Sequence, residues 1–210
     1  MTTTRRRTLT WTHCIVVALV GTAILAAEAT DRLENPTAGI VVVKPTGWHV
    51  GTIQQVEANR AKVRMNDEEL QQAIQQSASA PLFVFTRYLE PHDSLNPSIQ
   101  VGLRPLGPLV GRTPVEIMQL VVEPLKKAFK DFRFVSEISA TTVSGMSAAH
   151  VKAAYTLVTQ DGREFPTLSR LCIMPRGSFM FFIGMGSPQE GPDVSEDEFT
   201  AFMKSIEIQP

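Results

Sequence analysis

The hydrophobic pattern changes period after Phe134, and that change restricts the fold more than any other feature of the chain. Residues 134–139, 141–144, 148–158, 164–174 and 178–185 each read as a strand. Their apolar positions alternate or run continuously instead of recurring at three and four. Gln160-Asp161-Gly162 and Arg176-Gly177 supply tight turns between them. Successive strands joined by tight turns pair antiparallel. The run Phe-Met-Phe-Phe-Ile at 179–183 is apolar on both faces, which predicts a central strand covered on both sides.

The earlier part of the chain supplies the covering elements. A β-branched run at 39–43 ends at Pro45 and predicts a strand, with a turn through Gly47 and Trp48. Residues 52–64 carry Ile53, Val56 and Val63 at helical spacing. Asn66, followed by Asp67, Glu68 and Glu69, predicts an N-cap with acid in the first turn. Leu70, Ala73 and Ile74 mark the inner face of the helix it starts. Residues 82–88 and 98–104 predict a hairpin with a long polar loop over 90–97. Thr113-Pro114-Val115-Glu116 is a helix start, and Val115, Met118, Val121, Val122, Leu125 and Phe129 form its stripe. Pro124 should bend or split that helix. Ser195-Glu196-Asp197-Glu198 reads as a capping box, and Phe199, Phe202, Met203 and Ile206 as the stripe of a last helix. Together these predict an α+β fold: an antiparallel β-sheet covered by helices on both faces, an α/β/α sandwich.

The first 29 residues have a different character. Arg5-Arg6-Arg7 precedes an apolar run over 14–27, and Ala27-Glu28-Ala29 places small residues at the last and third-last positions. That is the layout of a signal peptide. As a helix the run would reach about 21 Å, short of the roughly 30 Å core of a bilayer. Cleavage after Ala29 is expected, with Ala27 the second choice and an uncleaved membrane anchor the alternative. The arginines only partly match a twin-arginine export signal. Cys14 lies at the front of the apolar run, where a lipid-attachment cysteine would not be. Residues 30–38 read as a flexible lead-in, and 39–210 as one domain. The expected location is extracytoplasmic, periplasmic or secreted.

Charge and cysteine count narrow the function. The whole chain carries a net charge of −1, and loss of the three leader arginines with Glu28 moves it further to the acidic side. Such a balance excludes nucleic acid as a main partner. Lys126, Lys127, Lys130 and Arg133 are interleaved with Asp131 and apolar residues, as on an ordinary helix surface. Cys172 is the one cysteine beyond the leader, so no internal disulfide is expected. Its neighbours Leu171 and Ile173 predict a buried, inert thiol.

Several stretches together resemble the PsbP-like superfamily of α/β/α sandwiches. They are Gly39-Ile-Val-Val-Val-Lys-Pro-Thr-Gly-Trp48, Ser144-Gly-Met-Ser-Ala-Ala149 leading into a long strand, the Asp161-Gly162 hairpin, and a closing helix over 199–208. The likeness covers 39–208. The group includes the extrinsic photosystem II subunit and a Ran-binding eukaryotic protein of the Mog type. The resemblance implies the fold and an extracytoplasmic accessory role. It brings no catalytic residue, since the family shares no catalytic motif. Many bacterial members look like lipoproteins, and this chain departs from them in having no cysteine after its apolar run.

Candidate chemistry is sparse. Gly145-Met-Ser147-Ala-Ala149 nearly matches a nucleophile elbow, with His150 following, but an elbow needs a helix where this pattern predicts a strand. Glu90, His92 and Asp93 are weak candidate metal ligands in one loop, with no second cluster to complete a coordination shell. His49 and His150 are isolated. Trp48 is expected to close one end of the core. No phosphate-binding glycine loop and no cofactor site is expected. The expectation is therefore an exported, non-enzymatic binding or assembly domain acting on another protein through the 90–97 loop, with Glu90, His92, Asp93 and Asn96 as contacts. A small-molecule or cation binder using a cleft between sheet and helix is the alternative, and a hydrolase through Ser147 a third reading.

Overall fold

The structure is a computed structural model that describes residues 31–77, 80–193 and 196–209. The expected signal peptide with Cys14, and Ser195 of the expected capping box, lie outside the described residues.

The chain opens with β1 (Arg32–Asn35), β2 (Ile40–Val43) and β3 (His49–Val50). Then come α1 (Ile53–Lys62), β4 (Val63–Arg64) and α2 (Glu68–Ser77). The hairpin β5 (Phe83–Thr86) and β6 (Ser98–Pro105) leads to α3 (Pro114–Val122) and α4 (Leu125–Ala128). Five strands follow: β7 (Lys130–Phe134), β8 (Ser139–Val143), β9 (Met146–Thr159), β10 (Glu164–Arg176) and β11 (Phe179–Pro188). The chain closes with α5 (Glu196–Lys204) and β12 (Glu207–Ile208).

Strand pairing is antiparallel throughout the main sheet, in the order β3-β5-β6-β11-β10-β9-β4. The strand β9 is long enough to hold β8 along its first half and β7 along its second, on the edge away from β10. A two-residue turn joins β8 to β9. Ser144 (φ 49°) and Gly145 (φ 77°) both take positive φ, the mirror-image turn whose twist matches a right-twisted hairpin.

Apolar residues divide between the two faces of this sheet. On one face Phe85, Ile99, Val101, Phe181, Ile183 and Met185 meet Phe202 from α5, Ile206 just after it, and Ile40 and Val42 from β2. On the other, Ala149, Val151, Ile173 and Met180 meet Ile117, Met118 and Val122 of α3. The strand β11 thus feeds both cores, as its two-faced apolar run predicts. Each fully buried Phe or Ile removes enough apolar surface from water to stabilise by about 1.5–3 kcal/mol.

Local signals behave as their chemistry dictates. Thr113 Oγ1 accepts from Glu116 N at 3.3 Å while Thr113 N donates to Glu116 Oε2 at 2.8 Å, closing the capping box of α3. Pro124 separates α3 from α4. Trp48 is 3% exposed and sits within the first core. Cys172 is buried in the same core.

Four expectations are corrected. The lead-in expected over 30–38 contains β1, which pairs with β2 from Arg32↔Val43 to Asn35↔Ile40. The cap of α2 is Asp67, whose Oδ1 accepts from Leu70 N at 2.9 Å, not Asn66. The strand expected over 134–139 is two: β7 ends at Phe134 and β8 starts at Ser139, because both align on β9 and the chain steps between them. The last helix ends at Lys204; Ile206 is buried beyond it, and Glu207–Ile208 turns back to pair with β2. A second sheet of order β1-β2-β12 therefore shares one face of the sandwich with α5.

Candidate functional site

Where α5 crosses β8, β9 and β10, the side chains beneath it are not uniformly apolar. The residues of β9 on that face are Ala148, His150 and Lys152, opposite Cys172 (to His150) and Arg170 (to Lys152) on β10. Small and polar residues leave the helix unsupported there. A cleft of about 590 Å³ results, open at one side. Its apolar wall is built from Val143, Cys172, Phe199, Met203 and Ile206. Its polar groups are Lys152, Arg170, Glu196 and Lys204, with His150 and the hydroxyls of Ser136 and Thr200 on its lining.

The polar groups are ordered by one carboxylate. Arg170 has a side chain only 3% exposed. Its Nε donates to Glu196 Oε1 at 3.0 Å, its Nη2 donates to the same oxygen, and its Nη1 donates to Ser187 Oγ at 3.1 Å. Lys152 Nζ lies 2.9 Å from that oxygen as well. The hydrogen bond from Arg170, then that from Lys152, holds the Glu196 carboxyl below the usual carboxylate range, against the opposing effect of its partial burial. Glu196 starts α5, where the helix dipole also favours negative charge. Burial alone pushes the Cys172 thiol up to about 12, so the sulfur in the cleft wall is a neutral apolar surface.

A second cluster fixes the other side of the same helix. Arg87 at the end of β5 pairs with Glu198 and lies 3.5 Å from Asp193, which accepts from Tyr88 OH at 2.7 Å. Trp48 Nε1 donates to Glu198 Oε1 at 3.4 Å. The acidic first turn of α5 is thus held to the sheet at two points.

The loop residues expected to carry function bond one another and their neighbours. Glu90 Oε1 accepts from Asn96 Nδ2 at 3.0 Å and from Asn59 Nδ2 at 3.3 Å, and its Oε2 accepts from His92 N at 3.1 Å. Asn96 also donates to Tyr88 O and accepts from Tyr88 N. His92 stacks on Tyr88 at 4.7 Å, and its Nε2 lies 2.7 Å from Ser94 Oγ. Asp93 contributes its backbone carbonyl to Arg163. Glu90 and Asn96 brace the loop; His92 packs on it; Asp93 is exposed. Among the described residues, no three His, Cys, Asp or Glu side chains converge as metal ligands would.

Ser147 lies within β9, three residues before His150, so the two side chains point to opposite faces of the strand. His150 is therefore not placed to act as a base for Ser147. The Arg170–Glu196–Lys152 cluster was not singled out from sequence. Its signal is present, though: a charged residue between Leu168 and Cys172 in an otherwise apolar strand, with a lysine in the strand that precedes it.

No protein-family model matches the chain, and no curated protein sequence matches it. Solved structures do. The Ran-binding protein Mog1p of Saccharomyces cerevisiae superposes with a TM-score of 0.50 at 11% identity, over 84% of this chain and 94% of that one. The likeness is one of fold. Cyanobacterial PsbP (CyanoP) of Synechocystis sp. PCC 6803 gives a TM-score of 0.48 at 12% identity, over 92% of this chain and 98% of its own. LpqN of Mycobacterium tuberculosis, involved in cell envelope biogenesis, gives 0.44 at 16% identity, over 81% and 83%. At these identities the likeness concerns architecture alone.

Proposed function

We propose that the protein is an exported, non-enzymatic binding domain whose ligand site is the cleft between α5 and the β8–β9–β10 surface. The observation that carries this reading is the cleft itself. It joins an apolar wall to a few converging polar groups at a volume of about 590 Å³, within the range of small-molecule sites. Export rests on the leader pattern of residues 1–29. A thermal-shift screen of small molecules on the full-length chain and on Met203→Trp, which fills the cleft, tests the reading. Ligands that raise the melting temperature of the parent and not of the variant support it. Ligands that stabilise both chains equally reject the cleft as their site.

A second reading, binding to another protein through the 90–97 loop, is favoured by one observation. Leu89 is 68% exposed beside the braced loop, with the partly exposed ring of Tyr88 next to it. An exposed apolar pair on a fixed loop suits a protein contact. In-cell crosslinking of the full-length chain tests it: a partner that is still captured after residues 90–97 are replaced with Gly and Ser rejects that surface.

A further inference from the structure

We propose that the cleft selects an amphipathic monoanion: a small molecule with a carboxylate head and an apolar body. The inference rests on the cleft reading above and adds the class of ligand. Three of the charged side chains lining the cleft are cations, Lys152, Arg170 and Lys204, and one is an anion, Glu196. Glu196 meets Arg170 and Lys152 through the same oxygen, Oε1. Lys204 makes no ion pair among the described residues. The lining therefore carries a surplus of positive charge in a chain whose net charge is −1. That surplus is local, and the partly buried Lys152 stands beside apolar surface, where a charge pair is worth more than in open water.

The two halves of such a ligand have separate places. Phe199, Met203, Ile206 and Cys172 offer an apolar wall, and the methionine adapts to irregular shapes. A carboxylate joining Lys152 or Lys204 would neutralise a charge that Glu196 leaves uncompensated, and would form charge-assisted hydrogen bonds. A cationic head would meet three like charges. A neutral head would leave the surplus in place and gain only apolar burial. The chain's own Glu196 already shows how the cleft holds a carboxylate: three nitrogen donors converge on one oxygen.

The test uses the full-length chain labelled at its methionine methyl groups, with the Met203 resonance assigned by Met203→Leu. Octanoate, octanol and octyltrimethylammonium are titrated, and the shift of Met203 reports occupancy of the cleft apart from any binding elsewhere. The expected result is that octanoate saturates Met203 at least tenfold more tightly than octanol, with no saturation by the cation. Lys152→Met with Lys204→Met should weaken octanoate tenfold or more and leave octanol unchanged. If octanol or the cation matches octanoate, the anion preference is wrong while the cleft stands. If none of the three moves Met203, the cleft reading falls with it. A double variant that melts well below the parent is replaced by Lys204→Met alone, for which loss of octanoate selectivity is again the expected result and unchanged selectivity the contrary one.

Discussion

Lys152 and Arg170 stand directly opposite each other on β9 and β10, and both bond Oε1 of Glu196. Like charges in register across two strands repel. Here the repulsion is resolved by a residue from another element, the first of α5. One carboxylate therefore joins two strands and a helix, and it sets the polar end of the cleft.

Replacing Glu196 with Gln removes the countercharge and leaves Arg170 buried beside Lys152. The expected cost is about 1–3 kcal/mol, the penalty of leaving a buried donor poorly matched, tempered because half of the Glu196 side chain meets solvent. Urea denaturation of the two chains measures it; equal midpoints would contradict the role assigned to Glu196.

The same carboxylate predicts a pH dependence. Its folded pKa is depressed, chiefly by Arg170 and then Lys152. Its contribution to stability is complete above the unfolded value, about 4.3, and is lost as pH falls through the lower folded value. The difference in stability between parent and Glu196→Gln should hold constant from neutral pH to about 5 and shrink below about 4. A difference that grows on acidification would reverse the assignment.

Cys172 should be chemically silent in the native state. Its thiol is buried and raised to about 12, so the thiolate is scarce at pH 8. In a Cys14→Ser chain, Ellman's reagent should find no thiol until urea is added, and one equivalent afterwards. Rapid native reaction would show that the cleft wall opens.

Gly51 is a packing constraint. A Cβ there would stand 2.7 Å from Val84 Cγ1, at the point where Gly51 N donates to Val84 O at 2.8 Å. Gly51→Ala should cost about 1–3 kcal/mol by overpacking. Combined with Val84→Ala, the loss should be smaller than the sum of the two single losses. Full additivity in urea titrations would mean that the contact is not the cause.

Ser147→Ala should leave any ester-hydrolysis background of the purified chain unchanged, since Ser147 and His150 face opposite sides of β9. A measurable drop would revive the hydrolase reading.

The main sheet, the Thr113 cap of α3 and the buried Trp48 and Cys172 were legible because each rests on local chemistry: alternation, a threonine three residues before a glutamate, proline at a break. The small sheet was not. Arg32, Leu33, Glu34 and Asn35 carry one apolar residue among four, and only a partner at Val41–Val43 makes a strand of them. The step between β7 and β8 was invisible for a similar reason, because it is fixed by the length of β9 and not by residues 135–138 themselves. A cleft between sheet and helix was foreseeable as an option from the fold class. Its residues were not, because Lys152, Arg170 and Glu196 are far apart in sequence and meet only through the hairpin register and the placement of α5.

The three-stranded sheet has a temporal consequence. Its central strand β2 lies near the start of the domain, yet one of its two neighbours is Glu207–Ile208. A chain delivered N-terminus first, from a ribosome or through a narrow channel, holds Ile40 and Val41 without their last cover until residues 207–208 emerge. The meander from β8 to β11, joined by tight turns, can zip up meanwhile from contacts close in sequence. Completion of the small sheet is thus timed by the delivery of residues 207–208, far down the chain from β2.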